Sequence, residues 1–391
     1  MPKAESLVTK EFVALNAIIF LAFCNIAVFF QFHQYLGDLG ISPDYFGALI
    51  GLFSVSVLAI RPIISPWIHR DNAKRWILIS CGGVIISLFL YNAANDFWSM
   101  ALVRLVHGAA YVVLATAALN RMVEAIPANK SAQAFGLISV VTLLPYAVIP
   151  PFLGPLISWA GAFDRVLDLS ALAMFLAFPL LFFVENKPLE QTDFRDNSIG
   201  LSELKENLAD PRVIVLLLLS LLVWTSFTPV FYFLNGYAEK LGIENAGWFF
   251  TISTLMEITV RIVAGHLFDR VNKWLLLLAA IAWLGAGNFA LAAYPGAGTF
   301  YCMSVWLGIG WGVTMPVLSG LVFDVSKPKL RAFNTNLAME MFQAGFFVGP
   351  VLGGAILVAW GYSALYYACA GILWAGLVTG AAVSRARRQG T

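Results

Sequence analysis

Hydrophobic residues come along this chain in long blocks, each closed by a short polar or glycine-rich stretch. Twelve blocks can be marked, at residues 12–36, 45–68, 75–95, 98–121, 132–158, 168–185, 212–236, 246–268, 274–294, 298–323, 331–359 and 362–384. A helix of about 20 apolar residues crosses a hydrocarbon core about 30 Å thick, so each block predicts one transmembrane helix. Ten-residue segments with strict apolar–polar alternation are absent from the pattern, which argues against an outer-membrane barrel. The first block is too long for a signal-peptide core and has no small-residue cleavage site after it, so it reads as retained. The expectation is an all-α membrane protein with twelve transmembrane helices.

The blocks repeat. Tyr35-Leu36-Gly37-Asp38-Leu39-Gly40-Ile41 is echoed by Tyr237-Ala238-Glu239-Lys240-Leu241-Gly242-Ile243, and the run from Arg61 to Arg70 by the run from Arg261 to Arg270. Gly47 and Gly247, Gly108 and Gly308, and Glu124 and Asp324 share an offset of 200 positions. The chain therefore reads as two copies of one six-helix half, a pseudo-symmetric pair of bundles. Parallel repeats of this kind are a common build for carriers whose halves rock around a central site. The predicted division is an N-terminal bundle at 1–186, a linker at 187–211 and a C-terminal bundle at 212–391.

Composition agrees with a membrane location: 60% of residues are hydrophobic and 12% charged, against about 25% charged in soluble domains. Lysine and arginine placement predicts the orientation. With the amino terminus inside, Arg165 and Lys240 fall in external loops and Arg104 within a span, while the other 21 of 24 basic residues lie at or near inner ends and loops. That bias follows the positive-inside rule and puts both termini in the cytoplasm of a bacterial inner membrane. The net charge of +2 reflects this topology and gives no reason to expect a nucleic-acid partner.

The hydrophilic stretch from Glu185 to Arg212 reads as an inter-domain linker. Pro188 and Gly200 break it, and Leu201 to Leu208 has room for a short surface helix. Cys24, Cys81, Cys302 and Cys369 fall in separate blocks without metal spacing and read as packing residues. The four histidines, His33, His69, His107 and His266, are equally scattered. No phosphate-binding glycine loop, nucleophile elbow or HExxH pair is present, so an enzyme, a resident cofactor and ATP drive are not expected.

Loop and helix motifs give the chain a resemblance to the major facilitator superfamily over essentially its whole length. After the eighth block comes Gly265-His266-Leu267-Phe268-Asp269-Arg270 with Lys273, similar to the superfamily's glycine-rich, Asp-Arg loop. The first copy is degenerate, with Ser65 and His69 at the glycine and acid positions but Arg70, Lys74 and Arg75 kept. The fourth block reads Arg104-Leu105-Val106-His107-Gly108, similar to the superfamily's fourth-helix motif with His107 in place of a glutamine. The exchanger pattern of Gly-Pro-Gly-Gly is complete in the eleventh block, from Gly345 to Gly354. The fifth has only Pro150-Pro151-Phe152-Leu153-Gly154-Pro155. The resemblance implies alternating access, with Arg70, Asp269, Arg270, Gly154, Pro155, Gly349 and Pro350 as gating residues. Small residues allow close helix approach and prolines allow bending.

Ionisable residues inside spans are costly at bilayer depth and point to function. Glu340 lies in the eleventh block, Glu257 in the eighth, and Arg104 and His107 in the fourth. None of the charges recurs in the other half: Glu257 maps to Val57, Glu340 falls near Pro145, and Arg104 maps to Ser304. Glu340 reads as a group that loads and releases a proton. Glu257 precedes Arg261 by four residues, so a structural ion pair and a coupling role both stand. His107 is either a satisfied core histidine or a third coupling group. By the resemblance, Arg104 serves proton coupling or binds an anionic substrate.

The remaining cavity candidates are Asn25, Gln31 and Gln34 in the first block, Thr228, Tyr232 and Asn235 in the seventh, and Trp311 in the tenth. Asn288 is expected to be peripheral, because ninth helices face lipid in the superfamily. The sequence is thus read as a secondary active transporter that acts as a monomer, with a small molecule, protons and the lipid bilayer as its partners. Proton-coupled export of an amphipathic molecule is the leading expectation. Symport of an organic anion such as a carboxylate, held by Arg104, is the alternative. A non-transporting receptor or lipid-moving facilitator is a third.

Overall fold

The computed structural model describes residues 8–69, 71–124, 126, 131–185, 201–268 and 270–389, and every regular element among them is helical. Helices long and apolar enough to cross a membrane are α1 (Lys10–Asp38), α2 (Pro43–Trp67), α3 (Ala73–Ala93), α4 (Phe97–Val123), α5 (Gly136–Ala160), α6 (Phe163–Phe183), α7 (Pro211–Lys240), α8 (Gly247–Ala264), α9 (Lys273–Ala293), α10 (Ala297–Val325) and a stretch of 52 residues, Phe333–Ser384. That last stretch is two spans joined end to end. At Gly361 the backbone takes φ 80°, a left-handed value that only glycine adopts at low cost, and the turn divides the stretch into α11 (333–360) and α12 (362–384). The twelve predicted spans are therefore present, with ends close to the hydrophobic block boundaries.

Local chemistry starts the helices where the sequence changes character. The Thr9 hydroxyl accepts the Phe12 amide at the head of α1, and Asn272 accepts the Leu275 amide at the head of α9. Before α4, Asp96 accepts the amides of Trp98 and Ser99 and the Ser99 hydroxyl. Those bonds hold its carboxyl below the usual carboxylate range. Trp98, Trp159, Tyr294 and Trp360, all near helix ends, are strongly exposed, as interfacial aromatic anchors are.

Two compact units make up the chain. One contains residues 1–41 and 52–195, the other residues 42–51 and 196–391. The repeat seen in the sequence recurs as bonded geometry inside each unit. In the first, the Tyr35 hydroxyl donates to the carbonyl of Tyr91 at 3.4 Å; in the second, the Tyr237 hydroxyl donates to that of Leu291 at 2.6 Å. The turns after α1 and α7 carry Gly40 at φ 73° and Gly242 at φ 71°. A methyl group on Gly108 would strike the carbonyl of Phe53, and one on Gly308 that of Ser253. Phe53 and Ser253 are themselves 200 positions apart. The shared glycines thus serve the same helix crossing twice, α2 on α4 and α8 on α10.

In the second unit, Gly345, Gly349 and Gly353 form one stripe of α11, a turn apart. Cβ atoms there would meet Trp224, Thr228 and Pro229 of α7. Small residues are what let two backbones approach this closely. Trp283 of α9 and Trp306 of α10 stack at 3.5 Å, each indole N–H donating to the other's backbone carbonyl. Asn288 is fully buried, and its amide donates to the Leu284 carbonyl of its own helix. An amide must reach a backbone acceptor when it cannot reach water, and α9 is packed against α10 and α12 rather than left open to lipid on that side.

The short helix expected in the linker forms at Leu201–Ala209. It docks on the connection between α10 and α11 through Glu203–Lys329 and Glu206–Lys327 ion pairs and a buried reciprocal amide pair, Asn207 with Asn334.

Candidate functional site

In the first unit the site is built around Arg104. It lies seven residues into α4, roughly 10 Å along the helix, and is 1% exposed. Its guanidinium carbon stands 4.7 Å from the ring centroid of Phe32, 4.9 Å from Phe29 and 5.1 Å from Phe53. α1 supplies the first two rings and α2 the third. The close approach at Gly108 brings Phe53 against α4. Aromatic faces attract a cation by about 2 kcal/mol or more when water is excluded, so the cage offsets part of the cost of burying the charge.

His107, one turn further along α4, is fully buried and packs at 5.2 Å against Phe53 and 5.4 Å against Phe29. Tyr91, at the end of α3, connects the two basic residues. Arg104 Nη1 donates to its hydroxyl at 3.4 Å, and the hydroxyl lies 3.3 Å from His107 Nδ1. His107 Nε2 is buried without a hydrogen-bond partner. Two sequence-predicted residues are thereby brought together by a third that the sequence reading did not select.

The other candidates in this unit are placed apart. Asn25 is buried and donates to the sulfur of Met174 in α6 at 3.3 Å. It borders a cavity of about 250 Å³ among α1, α5 and α6 that includes Cys24, Phe152 and Ser170. Gln31 is half-buried beside Gly154 of α5, Gln34 is half-buried, and Pro155 is exposed.

In the second unit, α7, α10 and α11 present a continuous aromatic wall. Trp224 packs edge-on to Phe342 at 4.2 Å and Phe227 to Trp311 at 4.8 Å, while Phe346 touches both Trp224 and Phe227. Glu340 is half-buried on α11, two residues before Phe342. Thr228 is fully buried and its hydroxyl donates to the Gly345 carbonyl, so it serves the α7–α11 seam. Tyr232 is buried against Phe231, and Asn235 is half-buried. Glu257 and Arg261 form the ion pair that their spacing allows, with side chains 12% and 24% exposed.

Of the gating candidates, Arg70 and Asp269 lie outside the described residues, and Arg270 is exposed. Gly349 sits against Thr228. The Pro350 carbonyl lies where a Cβ on Gly47 would fall, with Gly47 part of the 42–51 segment of this unit. Arg121 is a further buried charge that the sequence reading counted only as an inner-end cation. It pairs with Glu11 at 2.5 Å and donates to the Glu185 carbonyl at 3.1 Å, tying together the ends of α1, α4 and α6. An acid at the start of the first hydrophobic block was its one sequence signal, and no local spacing links positions 11 and 121. Among the described residues, no cluster of ligating side chains suits a metal ion.

Known proteins place this architecture. The Staphylopine export protein of Staphylococcus aureus is 21% identical over 371 residues, covering 90% of this chain and 87% of its own length. Multidrug resistance protein MdtG of Salmonella arizonae is 22% identical over 340 residues, covering 82% of this chain and 81% of its own. Among solved structures, the nucleoside transporter NupG superposes with a TM-score of 0.77 at 16% identity, covering 96% of this chain and 99% of its own. The sequence pattern of the Major Facilitator Superfamily matches residues 13–339 and, again, 244–389. With twelve apolar helices among the described residues, a doubled half and these matches, the chain belongs to the major facilitator superfamily and is a transporter of small molecules.

Proposed function

We propose that this transporter exports an amphipathic small organic molecule in exchange for protons. The observation that carries the reading is the unequal distribution of intramembrane charge over a repeated scaffold. Helix crossings recur in both units, whereas Glu257 and Glu340 belong to one and Arg104 to the other. Each is expensive at bilayer depth, and none is required to build the half-fold, since Val57 and Ser304 stand at the equivalent positions of Glu257 and Arg104. In this reading Glu340 carries the proton and Glu257 assists when its bond to Arg261 opens. Arg104 and the aromatic side chains Phe29 and Phe32 meet the substrate. Protonation and substrate each bias one two-state equilibrium between open faces. The placement of basic residues supports cytoplasmic termini, and the names of the export protein and MdtG support the outward direction.

Symport of an organic anion is the second reading, favoured by the burial of the Arg104 cation. Proton flux in energised inside-out vesicles distinguishes the two, using a pH-sensitive dye and a panel of amphipathic cations, sugars and carboxylates. Export by exchange predicts proton exit when one compound is added, lost in Glu340→Gln. Symport predicts co-directional movement of proton and carboxylate. Full coupled transport by Glu340→Gln between pH 5 and 8 would remove Glu340 from the mechanism.

A further inference from the structure

Arg104, Tyr91 and His107 form a hydrogen-bonded series whose direction follows from a count of its donors and acceptors. A guanidinium has donors and no acceptor, so the contact from Arg104 Nη1 makes the Tyr91 oxygen the acceptor. The single phenolic proton then remains for the next neighbour, His107 Nδ1 at 3.3 Å. A protonated Nδ1 donating to the phenolic oxygen would strand the buried phenolic proton, whereas a lone pair on Nδ1 uses it. A neutral imidazole with a lone pair on Nδ1 carries its hydrogen on Nε2.

From this direction we infer that Tyr91 is a positioning residue that locks His107 as its neutral, Nε2-protonated tautomer. Arg104 and His107 are then both hydrogen-bond donors within one aromatic cage, and the cage selects an acceptor or anionic head group on the substrate. The inference rests on the transport reading above and narrows its substrate class. It also removes His107 from the proton-carrying groups, because a second proton on Nδ1 would reverse the Tyr91 bond, strand the phenolic proton and put a second charge beside Arg104.

Packing supports the assignment. Groups facing the imidazole are Arg104 from its own helix and Tyr91 from α3, while α1 and α2 contribute the uncharged rings of Phe29 and Phe53. The Tyr91 backbone is held by the Tyr35 hydroxyl, which keeps the bridging phenol in place. His107 Nε2 is buried and has no partner. A buried donor without an acceptor is a costly arrangement, and it is relieved when an acceptor atom enters the cage. Phe29, Phe32 and Phe53 cover the donors in this conformation, so these rings must part for a head group to reach them.

The test is nitrogen NMR of the purified, reconstituted transporter with isotope-labelled histidine, the His107 signals being assigned by their loss in His107→Gln. Expected is an unprotonated Nδ1 and a protonated Nε2, unchanged from pH 8 to pH 5. In Tyr91→Phe the lock is gone, and the signals should become a tautomer mixture that titrates over that range. An Nδ1-protonated tautomer in the unsubstituted protein, or an imidazolium forming between pH 8 and 5, overturns the inference even where Tyr91→Phe does not fold. Benzoate and benzylammonium, one ring with opposite head charges, probe the selection. Benzoate should move the Nε2 signal and benzylammonium should not. The reverse result, or no movement with either, overturns the anion assignment. These readouts need no transport, so their failure is separate from failure of the proton-flux experiment.

Discussion

Arg104 and Arg121 lie on the same helix and are both almost completely buried, yet they solve the charge problem differently. Arg104 is surrounded by three aromatic faces and donates to a phenol. Arg121 is matched by Glu11 and a backbone carbonyl, which is the pattern of a structural tie. Removing one partner of a buried pair costs about 3–5 kcal/mol, because the other charge stays behind. Glu11 keeps 13% exposure, so Glu11→Gln is expected to cost about 3 kcal/mol, the low end of that range. Equilibrium unfolding in detergent measures it. Unchanged stability would mean that the tie between α1, α4 and α6 carries no energy.

At the scale of elements, the linker helix shows which contacts matter and why sequence patterns miss them. Glu203–Lys329 and Glu206–Lys327 are exposed pairs, each worth roughly 0–1 kcal/mol. Asn207 and Asn334 exchange two hydrogen bonds while 5% and 0% exposed. Leaving one buried amide unsatisfied costs about 1–3 kcal/mol. Asn207→Leu should therefore release residues 201–209, raising their amide hydrogen exchange at least tenfold. A Glu203→Gln, Glu206→Gln double variant should change it little. Equal effects would assign the docking to charge instead. The helix itself was legible, since its polar and apolar positions are local. Its partner was not, because residues 207 and 334 meet only through the folding of four spans. The same reason hid Tyr91. No local spacing links it to the fourth block, and only the packing of α3 on α4 brings its hydroxyl between Arg104 and His107. The spans were legible because hydropathy is a property of the continuous chain. The Arg104 and Glu340 candidates were legible because an intramembrane charge stands out without knowledge of its neighbours.

Across the whole molecule, what is repeated and what is not divide the residues into two classes with different expected phenotypes. Gly108 and Gly308 are equivalent in sequence, and each faces a backbone carbonyl that has no room to move from a helix axis. A methyl group at either should cost about 1–3 kcal/mol by overpacking, less about 1 kcal/mol gained in helix propensity. Gly82 and Gly371 supply the control, since nothing lies within 4 Å of a Cβ at either position. Alanine there should be neutral or stabilising by up to about 1 kcal/mol. Glu340→Gln belongs to the second class: it changes a charge and keeps the shape, in a half whose repeat does without the acid. Melting temperature and proton-coupled flux, measured together in one set of variants, should then separate. Gly108→Ala and Gly308→Ala should lower the melting temperature by similar amounts while the remaining folded protein keeps its proton coupling. Glu340→Gln should melt with the unsubstituted protein and lose coupling. If Gly108→Ala and Gly308→Ala differ widely, the two crossings are not energetic equivalents despite their shared geometry. If Glu340→Gln loses stability as they do, the acid is part of the scaffold and coupling must be sought at Glu257.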